Sequence, residues 1–499
     1  MRKQGLMSGW CAMLLLAGSM VGPASAGAQS IPTEPVDAAT AAAAAQIDVK
    51  DLRLRLGIIA DDSMRGRATP SPGLRKTAEY VAAQFESFGL RPGNGESWFQ
   101  EYPLTTMRAG PESAHMVALT GPNGSWQLEF GEDYLASYEA MISEGSGDLF
   151  LLTTGGERPD VTGKTVIMRV TMANLRQVFG GGLTDLIEGE PSAFLLSLDV
   201  PDEFMNRLRG FLGSERMQVG EAAETAAPVV YLVHSRLPEQ VAAVFSGEQS
   251  ADGWSARIRT EAVVDTRTAP NTIGILEGSD PELRDEYVIF TAHMDHLGVS
   301  KDVEGDSINN GADDDGSGTV TVIELAQAFA SLETRPRRSL VFMTVSGEER
   351  GLLGSEWYSE HPTLPLEQTV ANLNIDMIGR NWQDTIVAIG KEESTLGPLV
   401  ESIAASHPEL DMQVIDDLWP EESFYTRSDH FNFARKGVPI LFFFSGVHED
   451  YHQVSDEVEK IGYDKMARIG RLIFYLGLEI ANADERPTWD ADAYARIVE

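Results

Sequence analysis

Residues 287–349 open with YVIFTAHMD (287–295), pass through NNGADDDGSG (309–318) and close on RSLVFMTVSGEE (338–349); this stretch decides the fold. Val288, Ile289 and Phe290 run apolar without a polar break, the pattern of a strand covered on both faces. The run stops at His293 and Asp295. One intervening residue puts these two on the same side of an extended chain, where a carboxylate can orient or polarise the imidazole beside it. In the next loop Asp313, Asp314 and Asp315 sit among glycines, directly ahead of the helix-like TVTVIELAQAFASL. Three adjacent carboxylates repel one another, so a folded chain either solvates them all or brings in a cation. The third piece reads as another buried strand, ending on Glu348 and Glu349. Acids again gather where a strand stops, and open α/β sheets bind ligands at the carboxyl ends of their strands.

Two further strand ends complete the set. NLNIDMIG (372–379) places Asp376 after an apolar run, and VPILFFFSGVHEDYHQVSDE (438–457) places His448 and His452 beyond another. One His, two Asp, one Glu and one further His, each from a different strand end, make the ligand inventory of a site for two zinc ions. Carboxylate and imidazole suit borderline metals, and no thiolate is at hand. Taken singly, each residue has a plainer reading. A lone Glu-Glu pair is usually a solvated turn, and an Asp after a strand is often a cap. Their coincidence at successive strand ends is what favours chemistry.

The ordered series HMD, GADDDGSG, SGEERGLLGS, NIDMIG and YHQVSD resembles the dizinc aminopeptidases of metallopeptidase family 28, over roughly residues 50–105 and 262–481. The resemblance implies that His293 and Asp376 hold one zinc, Glu349 and His452 the other, and that Asp314 bridges them. It implies further that Asp295 orients His293, Glu348 is the general base, and Tyr451 stabilises the developing oxyanion. The match selects His452 over His448, because the ligand follows Tyr451 and stands four residues before Asp456. His448 and His296 are then surface residues or supports of the ligands. Asp315 stands where the family often has Asn, a change that does not threaten metal binding, and the resemblance implies a cis peptide between Asp314 and Asp315.

The implied activity is removal of N-terminal residues from peptides by a metal-activated water, with Glu348 accepting its proton. Two alternatives stand beside it. The same site serves a carboxypeptidase, a dipeptidase or another amide hydrolase, although no cluster announces itself as a binder of substrate carboxylate beyond Arg427. A non-catalytic exported binding protein would be expected to have lost a ligand or the base, and all are present. The loop DDLWPEESFYTRSDHF (416–431) offers Trp419, Phe424, Tyr425, Arg427 and Asp429 as pocket lining.

The alternation of strands with helical segments argues an α/β fold: a mostly parallel mixed sheet flanked by helices, with an inserted mostly β domain. The expected division is an export signal over residues 1–28, a linker over 29–50, a dizinc peptidase domain over 51–105 plus 262–485, the insertion over 106–261, and a tail over 486–499. Arg2 and Lys3 followed by the apolar WCAMLLLAGSM and small residues at Ala24–Ala28 form the anatomy of a cleavable export signal, too short to span a membrane. Periplasmic or extracellular placement follows, as does a mature chain without cysteine, since Cys11 falls in the signal. In GLRKTAEYVAAQFESFGL, Ala78, Val81, Ala82, Phe85 and Phe88 fall at helix spacing with Gly89 as a stop. Arg65 and Arg67 read as structural, at the surface or paired.

In the insertion, GKTVIMRV and SAFLLSLDV are similar to a protease-associated domain, either a substrate-guiding module or a spacer. Its His115 and His234 read as packing or surface residues. The formal charge of -37 becomes -39 once Arg2 and Lys3 are lost, which argues against nucleic acid and anionic membrane as partners; the peptide substrate is what the family resemblance implies. The oligomeric state is not legible.

Overall fold

The apolar runs become strands of one sheet in the computed structural model, which describes residues 37–498 apart from 139, 154–157, 176–177, 179–182, 214 and 301–304. The expected signal segment lies outside the described residues. The strands are β1 (Phe99–Ala109), β2 (Ser255–Leu276), β3 (Tyr287–His293), β4 (Ser339–Val345), β5 (Thr369–Ile375), β6 (Thr385–Ile389), β7 (Gln413–Ile415) and β8 (Ile440–Phe444). Their order across the sheet is β1-β2-β4-β3-β5-β8-β6-β7. Pairing is parallel through β4-β3-β5-β8 and between β6 and β7, and antiparallel elsewhere. The middle is therefore four neighbouring parallel strands, and their carboxyl ends carry His293, the Glu348-Glu349 pair, Asp376 and the His448–His452 loop.

Alternate side chains of these strands leave on opposite faces, and both faces are covered, which is why apolar residues dominate the runs and the polar Thr291, Asn372 and Asn374 within them bond to one another. Val288, Phe290, Leu340 and Phe342 enter one core, whereas Ile289, Val341, Met343 and Ile440 enter another. Among the helices are α1 (Ala38–Ala44), α2 (Val49–Ile59), α3 (Pro72–Ser87), α4 (Gly318–Ala330), α5 (Leu353–Glu360), α6 (His430–Ala434), α7 (Tyr463–Asn482) and α8 (Ala491–Ile497), with a further one over Leu396–Ser406. Helices α1 to α4 and α7 feed the first core. There Phe329 and Phe474 approach with ring centroids 4.4 Å apart, and Phe290 stacks on Phe342 at 5.3 Å. Each fully buried ring of this kind contributes roughly 1.5–3 kcal/mol, and Phe290→Ala would cost about 3–5 kcal/mol. Tyr358 of α5 and Phe433 of α6 belong to the opposite core.

Local signals set the helix limits. Ser71 caps α3 by accepting from Leu74 N at 3.1 Å, Pro72 occupies its first turn, and Gly89 at φ 78° turns the chain away, as its position predicts. Two boundaries differ from the sequence reading. Within the segment read as a linker, 38–44 form α1 and bury Ala43 and Ala44, because small side chains let that helix lie close against α4 and α7. Within the segment read as a tail, α8 forms and Trp489 Nε1 donates to Gly437 O at 2.9 Å, so an aromatic ring ties the terminus to the sheet.

Residues 106–261 supply short strands with two apolar clusters of their own, one around Val117, Leu195 and Trp254 and one around Met168, Leu196 and Met205. β2 runs through both regions: its first part pairs with 142–148 and 116–120, its middle with β1, and its last residues with β4. His115 stacks on Phe130 at 4.0 Å, a packing role, while His234 Nδ1 meets Ser197 Oγ at 2.7 Å. Among the described residues no helix is long and apolar enough to cross a membrane.

Candidate metal centre

Asp314 lies where the carboxyl ends of the parallel strands meet. The three aspartates follow Gly311, whose φ of 56° suits glycine, and the peptide between Asp314 and Asp315 is cis. The backbone of this loop is fixed from elsewhere. Asp456 accepts from Asp313 N and Asp314 N at 3.0–3.1 Å, and Asp315 accepts from His293 N, Gly318 N and Met377 N at 2.8–3.2 Å. Asp315 thus binds two strand ends to the start of α4 and is not turned toward the other ligands. Of the three acids only Asp314 presents both oxygens to histidines across the site.

Those oxygens face two separate groups of donors. Oδ1 stands 3.2 Å from His293 Nε2, which is in turn 3.6 Å from Asp376 Oδ1. Oδ2 stands 3.2 Å from His452 Nε2, which is also 3.2 Å from Glu349 Oε2. Ligands held about 2.0–2.1 Å from a tetrahedral ion lie roughly 3.3 Å from each other, so these are the spacings of atoms that share an ion. Asp314 Oδ2 and Asp376 Oδ1 are buried without a hydrogen-bond partner, a costly state unless something else satisfies them. Glu348 converges with His293 and Asp376, ligand atoms of all three lying within 4.8 Å of one another; His296, Asp314 and Glu349 do the same. His296, however, is engaged otherwise: its Nδ1 donates to Glu349 Oε1 at 2.7 Å, too short for two ligands of one ion and right for a hydrogen bond.

The adjacent glutamates diverge because the chain bends between β4 and α5. Gly347 takes φ 76° and the next three residues form a single 3-10 turn. A Cβ there would stand 2.9 Å from the Tyr102 hydroxyl and 3.0 Å from Leu353, so both the conformation and the space call for glycine. Burial pushes the Glu348 carboxyl well above its usual range, with Asp429 and Asp376 adding to the effect against His293. His452 is driven the other way from burial: desolvation lowers it, yet Asp314 and Glu349 raise it to about 10. His293, also buried, is raised well above its ordinary value by Asp376, Glu348 and Asp314.

The expected residues therefore come together, with corrections of detail. Asp295 is buried, but the partner of His293 Nδ1 is its backbone carbonyl at 3.2 Å; its carboxylate stands 3.8 Å away and instead accepts from Thr69 Oγ1 at 2.8 Å and Glu348 N at 3.3 Å. His296 and His448 are not at the surface. His448 lies with Nε2 3.2 Å from Asp313 Oδ2, and its Nδ1 accepts from Asp450 N. Arg67 is fully buried and, among the described residues, forms no ion pair, its guanidinium donating to the carbonyls of Ile59, Met294, Asn310 and Gly311. The ring of Tyr451 stacks on His452 at 3.8 Å; burial, reinforced by the neighbouring carboxylates, holds its hydroxyl protonated.

The pocket over these ligands has an apolar wall of Met377, Phe424, Phe442 and Phe444, with Tyr451 and Arg427 also lining it. Trp419 and Tyr425 pack behind this wall and Asp429 is fully buried, so the loop 416–431 lends the pocket only Phe424 and Arg427. Sequence reasoning missed Thr69 and Ser428. Thr69 accepts from Gly347 N at 3.0 Å while donating to Asp295; Ser428 donates to Asp376 Oδ2 at 2.8 Å. Neither has a local pattern that marks it.

Residues 271–477 match the family described as peptidase family M28. The chain is 24% identical over 294 residues to aminopeptidase YwaD of Bacillus subtilis, covering 55% of this chain and 61% of that protein. It is 30% identical over 216 residues to leucine aminopeptidase 1 of Penicillium rubens, covering 41% and 55%. The alignments with these relatives and with a probable leucine aminopeptidase of Trichophyton verrucosum span only 55–65% of the relatives' own lengths. The fold is that of an aminopeptidase from Aneurinibacillus sp. strain AM-1, at a TM-score of 0.50 with 18% identity over 90% of this chain and 97% of that one.

Proposed function

We propose that this protein is an exported zinc-dependent aminopeptidase that removes N-terminal residues from peptides. One observation carries the reading: a single carboxylate, Asp314, stands with its two oxygens 3.2 Å from the imidazoles of two different donor groups. His293 and Asp376 would hold one zinc ion, Glu349 and His452 the second, and Asp314 would belong to both. When bound, the ions supply Lewis acidity, bringing the pKa of a water from near 16 to about 7 and countering charge on a carbonyl oxygen.

The chain's own groups do the rest. Glu348, on the pocket wall beside His293 and Asp376, takes the proton of the attacking water and passes it to the leaving amine. Tyr451 keeps its proton and offers it as a hydrogen bond to the oxygen on which negative charge develops. Asp295 holds the turn that carries Glu348 through its bond from Glu348 N, and its carbonyl fixes the His293 ring. The free amino group of the substrate pairs with the surrounding carboxylates, and Met377, Phe424, Phe442 and Phe444 receive the first side chain. Export rests on the N-terminal pattern of a charged pair, an apolar run and small residues. Residues 106–261 are read as a protease-associated-like module that guides substrate.

Metal content per chain, with hydrolysis of leucine p-nitroanilide and its N-acetyl form before and after chelation, tests the reading. Two zinc per chain, loss of activity on chelation with recovery on zinc addition, and refusal of the blocked substrate are expected. Equal turnover of the blocked substrate, or activity indifferent to chelation, would remove the aminopeptidase.

A further inference from the structure

Among the described residues, Arg427 is the single guanidinium or ammonium group lining the pocket over the candidate ligands. The rest of that lining is carboxylate, imidazole, phenol, thioether or hydrocarbon, so a fixed cation there has no part in holding metal or in accepting a substrate ammonium. Its placement is defined. The guanidinium lies over the Phe424 ring at 4.7 Å, which keeps it against the apolar wall. Its ties to protein are weak: Glu422 O and Glu422 Oε2, both at 3.5 Å, with 44% of the Arg427 side chain exposed. Arg380 and Lys465 are committed within the protein, Arg380 to Asp450 at 2.9 Å and Lys465 to the Arg380 carbonyl and Ser445 Oγ.

Height in the pocket narrows what this cation meets. Met377, Phe442 and Phe444 are 2–3% exposed, whereas the Arg427 side chain is 44% exposed and so meets the solvent side of the pocket. A group that reaches it is at the outer end of whatever occupies the pocket. Guanidinium pairs best with a carboxylate, by two parallel N–H···O bonds.

We infer that Arg427 is a specificity residue that binds a carboxylate of the substrate, so that the enzyme favours short peptides with a free C-terminus or peptides with an acidic first residue. The inference deepens the aminopeptidase reading and rests on it. Two sources of carboxylate share this chemistry, and paired substrates separate them: Leu-Leu against Leu-Leu-amide for the terminal carboxylate, and glutamyl against glutaminyl p-nitroanilide for the side chain.

The test compares the zinc-loaded full chain with R427M and R427K on both pairs and on leucine p-nitroanilide. In one pair the wild-type kcat/KM favours the acid by about tenfold or more, mainly through KM; the ratio falls toward one in R427M and is partly kept in R427K. Because the readout is a ratio within each variant, a general loss of activity does not imitate it. Turnover of leucine p-nitroanilide with wild-type ratios near one in both pairs, or a ratio unchanged in R427M, overturns the role of Arg427 alone. Refusal of leucine p-nitroanilide and all four paired substrates by the wild type takes the aminopeptidase reading down and this inference with it.

Discussion

His296 Nδ1 donates to Glu349 Oε1 at 2.7 Å, which leaves Oε2 as the oxygen that stands 3.2 Å from His452. The imidazole thus decides which way the Glu349 carboxylate faces. Removing it frees a buried acid to rotate, and losses of such supporting contacts typically weaken metal binding by about 10- to 100-fold. His296→Ala is expected to bind one zinc normally and the second 10- to 100-fold more weakly in a competitive chelator titration. Two ions held at wild-type affinity would show that the bond is idle.

Glu348 is expected to be dispensable for metal and needed for turnover. Glu348→Gln keeps the size and shape of the side chain but cannot take a proton, and a positioned general base is worth about 10²- to 10⁴-fold. The variant should keep full zinc content while kcat falls by that range. Near-normal kcat with metal retained would pass the base role to another group.

Zinc uptake is expected to release protons. In the metal-free chain Asp314 and Glu349 hold His452 at about 10, so that imidazole is protonated at pH 7, and Asp376 and Glu348 raise His293 in the same direction, although burial alone would favour the neutral rings. A raised folded pKa means that the stability gained from protonation is complete below the unfolded value near 6.5 and is lost as pH rises through about 10 for His452. Metal binding runs opposite, gaining strength up to roughly tenfold per pH unit for each proton displaced. Titration calorimetry at pH 7 in buffers of different ionisation enthalpy checks this; apparent enthalpies that do not vary with buffer contradict it.

Arg67 is expected to hold the Asp loop in place without touching any ligand. It satisfies carbonyls of Met294, Asn310 and Gly311 on both sides of the site, and of Ile59 at the end of α2. Arg67→Met strands several buried acceptors at about 1–3 kcal/mol each, so a loss on the order of 3 kcal/mol or more is expected in urea unfolding of the metal-free chain. A loss below about 1 kcal/mol would mean that water replaces the guanidinium there.

What was legible in the sequence is what repeats locally or ends abruptly. Mostly apolar runs gave the four parallel strands, since a strand buried on both faces admits a polar side chain only where it finds a partner, and acids or imidazoles directly after each run gave His293, Glu348, Glu349 and Asp376. The bend needed to part Glu348 from Glu349 was also implied by their adjacency and is met by Gly347.

Only the tertiary structure decided how those groups are held. A ladder inside the sheet runs from Asn372 to Thr291 at 2.9 Å, Thr291 to Asn374 at 2.6 Å, Asn374 to Ser428 at 3.0 Å and Ser428 to Asp376 at 2.8 Å, which sets which oxygen of Asp376 is left for an ion. Thr69, His296 and the turn of Asp295 away from His293 belong to the same kind of contact. The physical reason is range. Periodicity and strand ends are written within a few residues, whereas a hydrogen bond depends on angles and distances between segments that become neighbours only when the sheet assembles.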